Sequence, residues 1–245
     1  MKKLILIIVI TTFFLNCEKP GDCVKSTGEM VTREIEVTPF ETVFVYTGIG
    51  LVIKQGPEYK VEVRSGENLI DDIEVKVENN TLTLKDKTTC NWVRDYGQTT
   101  VYVTAPSLSD IHSKTEQEIR SDGVLTYPII RLNSMDLTDG AGTGDFIFNI
   151  DNGQLVIANN NVSRFYISGN TQEALLNFYD GNGRLEAQNL NINVAKVYHR
   201  GSNDMIIKPI QSVEGDLFST GNLILLNTPP SINLTEHYQG RVIYN

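Results

Sequence analysis

The stretch VYHRGSNDMII, Val197 to Ile207, decides how this chain is read. Between His199 and Asp204 it offers an imidazole, a guanidinium, a hydroxyl, an amide and a carboxylate around Gly201. Taken alone, it is a candidate active site. Beside its neighbours, it is one corner of a repeat. The run MII at Met205 has counterparts in FIF at Phe146, FYI at Phe165, LEA at Leu185, LIL at Leu223 and VIY at Val242, in steps of 19, 20, 20, 18 and 19. A second column joins Leu137, Val156, Leu176, Val197, Leu217 and His237. Glycines fall between the two columns at Gly181, Gly201, Gly221 and Gly240.

A repeat of about twenty residues is the signature of a solenoid. Each turn supplies short strands that cannot bury an apolar face alone, and stacking the next turn about 4.8 Å away pairs the backbones and builds a continuous core. Glycine at a corner accepts the positive φ that a sharp bend asks for. Residues 105–245 therefore read as a parallel β-helix, right-handed as parallel crossovers nearly always are. Residues 26–104 alternate in shorter, hairpin-like runs such as IEVKV and TLTLK, with ENN as a turn between them and SGENLIDD as the one place for a helical turn. They read as an N-terminal β cap, and the fold class is all-β.

The chain begins with a basic MKK and a twelve-residue apolar run, Leu4 to Leu15, too short to span a bilayer and suited to a secretory signal over residues 1–16. NCEKPGD follows. It resembles a lipobox, with Cys17 as the lipidated residue and residues 17–25 as a tether. Asn16 stands where a small residue is usual, and the alternative is an ordinary signal peptide. Export leaves Cys23 and Cys90 in an oxidising compartment, where an even pair reads as a disulfide; two free thiols are the alternative. The net charge of −9 argues against nucleic acid and against docking on anionic lipid.

The register places His199, Arg200 and Ser202 over Tyr179, Asp180 and Asn182, so Asp180 and Arg200 are expected to pair across turns. An exposed pair of this kind contributes about 0–1 kcal/mol. Ser202 lies across the corner from His199 with no third group to orient the imidazole, which fits a nucleophilic triad poorly. His199 and His237 sit two turns apart, roughly 9–10 Å, too far to share a metal. No metal or cofactor is expected. Among the carboxylates, Asp180, Glu186 and Asp204 form the best trio for a glycan-active enzyme, a class that recurs on β-helices by fold analogy only. Phe178, Tyr198, Phe218 and Tyr238 recur every twenty residues. If they point outward they form a ladder for a sugar chain; if inward they are core. The Asn-rich NNN at Asn159–Asn161 and QNLNINV at Gln188–Val194 pose the same choice between an outer polar surface and an internal ladder.

Several features together carry a family resemblance. They are Phe40 before a strand, Gly48, IKQG at Ile53–Gly56, NLIDDIEVKVENNTLTL at Asn68–Leu84 and VYVTAP at Val101–Pro106. The chain resembles the "putative auto-transporter adhesin head GIN domain" family over nearly its whole length after the leader. YHRGSND and the cysteines in GDC and TTC look like a subgroup typical of Bacteroidetes lipoproteins. The resemblance implies an all-β fold with a β-helix and a place in the cell envelope, and supplies no catalytic residues. The expectation is therefore a non-catalytic outer-membrane lipoprotein, facing the periplasm or the outside, that binds a glycan or an envelope or host protein. Its candidate stripe is Phe178, Tyr198, Phe218 and Tyr238 with His199, Arg200 and Asp180. The alternatives are a polysaccharide-active enzyme and a structural scaffold. An uncapped turn near GRVIYN predicts self-association through that edge.

Overall fold

The computed structural model describes residues 23–88, 91, 92, 95, 97–136 and 142–245. The expected leader, Cys17 and Cys90 lie outside these residues, as does Leu137 of the second column.

The fold is nearly all-β, a solenoid of about 6 turns with roughly 21 residues per turn. Its first part holds β1 (Met30–Ile35), β2 (Thr42–Tyr46), β3 (Ile49–Gln55), β4 (Lys60–Gly66), β5 (Ile73–Glu78), β6 (Thr81–Asp86) and β7 (Thr99–Ala105). Then come β8 (Asp110–Lys114), β9 (Ile119–Leu125) and β10 (Ile129–Ser134). Four long strands follow: β11 (Phe146–Asn159), β12 (Arg164–Phe178), β13 (Arg184–His199) and β14 (Met205–Leu217). The last turn is β15 (Leu223–Leu225), β16 (Ser231–Glu236) and β17 (Val242–Tyr244).

Local chemistry accounts for these elements. β7 alternates Thr, Val and Tyr, with Thr99, Val101, Val103 and Ala105 all buried. Asn79 and Asn80 take φ of 50° and 64° and close a two-residue hairpin in which Glu78 faces Thr81, as ENN predicts. Ile70–Asp72 is a single 3-10 turn at the expected place.

Two parallel ladders run the length of the coil. The first stacks β6, β2, β8 and β10, then the C-terminal halves of β11 to β14, then β16. The second stacks β7, β3 and β9, then the N-terminal halves of the long strands, then β15 and β17. Each long strand bends from one sheet into the other. The sheets do not break at residue 104, because β2 pairs with β8 and β3 pairs with β9. The turn made by β2 and β3 lies between those made by β6–β7 and β8–β9, and on the far side β5 pairs antiparallel with β6, β4 with β7 and β1 with β4.

The first repeat column is in register: Phe146, Phe165, Leu185, Met205, Leu223 and Val242 pair in succession. Phe146 and Phe165 stack 4.7 Å apart inside the core. Truncating either to Ala would cost about 3–5 kcal/mol. The second column is displaced. Val156 pairs with Leu175 rather than Leu176, and Val197 pairs with Gly215 rather than Leu217. Register shifts near the bends, between Tyr166 and Ser168 and between Glu186 and Asn191, take up residues that even spacing assigns to the strands. The glycine column also has a different cause. Gly181 alone has a positive φ, 82°, whereas a Cβ on Gly221 would run into the Asn203 carbonyl of the turn below.

Candidate functional site

The candidate site is the outer surface of the first sheet. Strand alternation turns Val43, Ile111, Leu132, Ile157, Leu176 and Val197 into the coil and sends their neighbours out. One outward column runs unbroken through Thr83, Phe44, His112, Asn133, Ala158, Asn177, Tyr198, Asp216 and Thr235.

Aromatic rings gather on this surface near the C-terminal turns. Tyr179 and Tyr198 have centroids 5.6 Å apart, Tyr198 and Phe218 5.1 Å, and Phe218 and His237 4.3 Å with planes 3° from parallel. Tyr179 and Phe218 are exposed and Tyr198 half-buried. His237 Nε2 lies 2.7 Å from Asp216 Oδ1, which fixes the last ring of the series. Beside the ladder lies a shallow groove of about 440 Å³ lined by Asn177, Lys196, Tyr198, Glu214, Asp216 and Asn233. Gly215 also lines it. Lys196 pairs with Glu173 at 2.8 Å, and that ammonium, with the Gln154 amide, holds the Glu173 carboxyl below its ordinary range.

The sequence placed this ladder one residue away. Of its four aromatics, Tyr198 and Phe218 belong. Phe178 does not: it is fully buried and packs against Phe165 and His199. Tyr238 is 59% exposed, beyond the ladder's end. Tyr179 and His237 replace them, each one position from a predicted member. His199 is not on the stripe either. It is 1% exposed, inside the corner, with its ring edge-on to Phe178 at 5.9 Å. Neither ring nitrogen completes a hydrogen bond. Burial holds the imidazole below its ordinary range, offset only in part by the backbone of Asn203 and Asn222 and by the Asp204 carboxylate.

Arg200 and Asp180 are exposed but do not pair. Asp180 instead accepts the backbone N–H of Gly181 at 2.8 Å. The carboxylate trio also falls apart. Glu186 and Asp204 share the Arg184 guanidinium, at 2.5 and 3.1 Å, and Asp204 also accepts from Asn222. Burial pushes the Asp204 carboxyl up, but the Asn222 amide and Arg184 outweigh it and hold it low. The Arg184 guanidinium is shared by two carboxylates, and with Asn222 the group ties three turns together and engages both Glu186 and Asp204 in structural contacts. Among the described residues no group of three His, Cys, Asp or Glu side chains could hold a metal ion.

The Asn clusters divide. Asn159 is fully buried and makes an internal corner: its amide reaches the Asn161 carbonyl at 3.3 Å, and Ser134 and Ser163 share a hydroxyl bond of 2.9 Å beside it. Asn189 and Asn191 face solvent on the bend, where Asn191 donates to Asn170 at 3.0 Å.

Comparison with known proteins agrees with this architecture. A solved structure described as a putative adhesin from Bacteroides fragilis NCTC 9343 superposes with a TM-score of 0.80 at 21% identity, covering 90% of this chain and 99% of that one. A putative lipid binding protein from Parabacteroides distasonis ATCC 8503 gives 0.65 at 15% identity, covering 89% and 98%. A putative adhesin from Parabacteroides merdae ATCC 43184 gives 0.62 at 15%, covering 90% and 99%. At these identities the likeness is one of fold. None of the curated proteins matches the chain. The family model described as "Putative auto-transporter adhesin, head GIN domain" matches residues 39–229, and the chain belongs to that family.

Proposed function

We propose that the protein is a non-catalytic binding module of the cell envelope whose outer aromatic ladder holds a glycan chain. The observation that carries this reading is the run Tyr179, Tyr198, Phe218 and His237, four rings in successive contact on the outside of the coil. Sugar rings present apolar C–H faces and hydroxyl edges. The ring surface left exposed at Tyr179, Tyr198 and Phe218 takes the former, and Asn177, Asp216, Lys196 and Asn233 in the adjoining groove take the latter. The Arg184-bound state of Glu186 and Asp204 favours binding over hydrolysis.

The same reading keeps the protein on an outer-membrane anchor through lipid on Cys17. It also keeps a Cys23–Cys90 disulfide, which is supported by the N–H of Trp92, two residues along the chain from Cys90, donating to the Cys23 carbonyl at 2.9 Å. Among the described residues β16 and β17 pair on one side only, which supports self-association at that edge.

The test is an array of oligosaccharides probed with the protein, with product analysis on any ligand found. Retention of intact glycan supports the reading. Binding confined to proteins, or cleavage of the glycan, defeats it.

A further inference from the structure

We infer that the binding face carries a second aromatic platform, Phe44 with His112, and that its ligand is an extended polymer running along the solenoid axis rather than a short oligosaccharide. This rests on the reading of the ladder as a glycan site. Phe44 and His112 stack with centroids 4.1 Å apart and planes 2° from parallel. They come from different turns and sit in the same outward column as Tyr198. Next to them Lys85 lies 4.2 Å over the Tyr46 ring, so the platform has a polar margin as the ladder does.

Between the two platforms the surface is low. The column positions from His112 to Asn177 are filled by Asn133 and Ala158, side chains too short to interrupt a chain lying across them. Parallel strands set the scale. Three register steps from His112 to Asn177 amount to roughly 14 Å, and the seven from Phe44 to Thr235 to roughly 34 Å. No compact ligand touches both ends. A linear polymer laid along the column contacts Phe44–His112 and the Tyr179–His237 ladder together, and each contact raises the effective concentration of the other.

Charge narrows the class. Along the face Arg131 pairs with Asp110 at 3.3 Å and Lys196 with Glu173 at 2.8 Å. With Arg131 and Lys196 matched by carboxylates, Lys85 covering the Tyr46 ring and a net charge of −9 on the chain, the surface has little excess positive field to hold a polyanion. The ligand class is therefore an uncharged linear polysaccharide.

The experiment titrates the full chain with size-graded chito-, malto- and xylo-oligosaccharides, from disaccharide to polymer, against Phe44→Ala, His112→Ala and Tyr198→Ala. Melting curves establish that each variant is folded, and His112→Ala carries the test should Phe44→Ala prove unstable. For the series that binds, affinity is expected to climb by about 10²-fold or more once the oligomer spans both platforms. Phe44→Ala and His112→Ala should remove that gain while leaving the short members unchanged. If Tyr198→Ala weakens binding but both platform variants bind long oligomers as the wild type does, the second platform is wrong and the ladder reading stands. If no member of any series binds, both fall.

Discussion

Phe218 and His237 lie face to face on the outside of the coil, 4.3 Å apart and 3° from parallel, and a carboxylate of the Phe218 turn, Asp216, holds the imidazole from 2.7 Å. The contact is between neighbouring turns, so the ladder exists only in the folded solenoid. Substituting Phe218 or Tyr198 by Ala removes one ring from the exposed surface. An aromatic contact of this kind contributes about 0.5–1.5 kcal/mol beyond the area it buries. Each single variant should therefore weaken glycan binding by about 2- to 12-fold. Because Phe218 is exposed and Tyr198 half-buried, the melting temperature should stay close to that of the wild type. Isothermal titration and a thermal melt separate the two effects.

His199 predicts a pH dependence of stability. It is buried and its pKa in the folded chain is lowered, chiefly by desolvation. The unfolded chain binds the proton near pH 6.5 and the folded chain only below that. Stability is thus fully present above about pH 6.5 and falls as the pH drops below it, by at most about 1.4 kcal/mol per pH unit for one proton. His112, lowered by burial too, adds a slope of the same sign. Urea titrations between pH 7.5 and 5 should show a steeper loss in the wild type than in His199→Leu, since Leu217 fills the equivalent inward position one turn on. Equal slopes would mean the imidazole is not buried neutral.

Gly215 lines the groove and is favoured there for a backbone reason. Its φ is 140°, and a Cβ there would overlap the carbonyl oxygen of Val197 on the turn below. Gly215→Ala should cost about 1–3 kcal/mol, seen as a lowered denaturant midpoint. If the variant is as stable as the parent, β13 and β14 are not in this register.

The proposed Cys23–Cys90 bond would fasten the first described residues to the start of the coil. A native crosslink is typically worth about 2–4 kcal/mol. Non-reducing peptide mapping should find the linked pair in protein exported to an oxidising compartment, and Cys23→Ser should lower stability by that amount. Two free thiols in exported protein would remove the bond from the account.

Much of this was legible in the sequence. The column beginning at Phe146 marks the core because those residues are held in register by strands free of irregularity at that point. The Asn79–Asn80 hairpin follows from local backbone preference. The ladder was harder to read, since the bends of β12, β13 and β14 differ in length. Twenty residues counted from Phe178 reach Tyr198, but the backbone pairs Phe178 with His199. One residue of slip inverts a side chain between core and solvent, which is why Phe178 and His199 lie inside and Tyr179 outside. The platform at Phe44 and His112 was hidden for another reason. β2 pairs with β8 across a long excursion through β3 to β7, and no fixed period joins the two residues.

The central claim is that the outer ring ladder is a binding surface for a sugar chain. Affinity electrophoresis of the folded protein in gels containing neutral polysaccharides, beside a Tyr198→Ala/Phe218→Ala double variant, tests it most directly. The account predicts that at least one polysaccharide retards the wild type and that the double variant, equally folded, runs unretarded in the same gel. Equal retardation of both proteins would contradict it, because the ladder would then be a feature of packing between turns and the ligand would bind elsewhere.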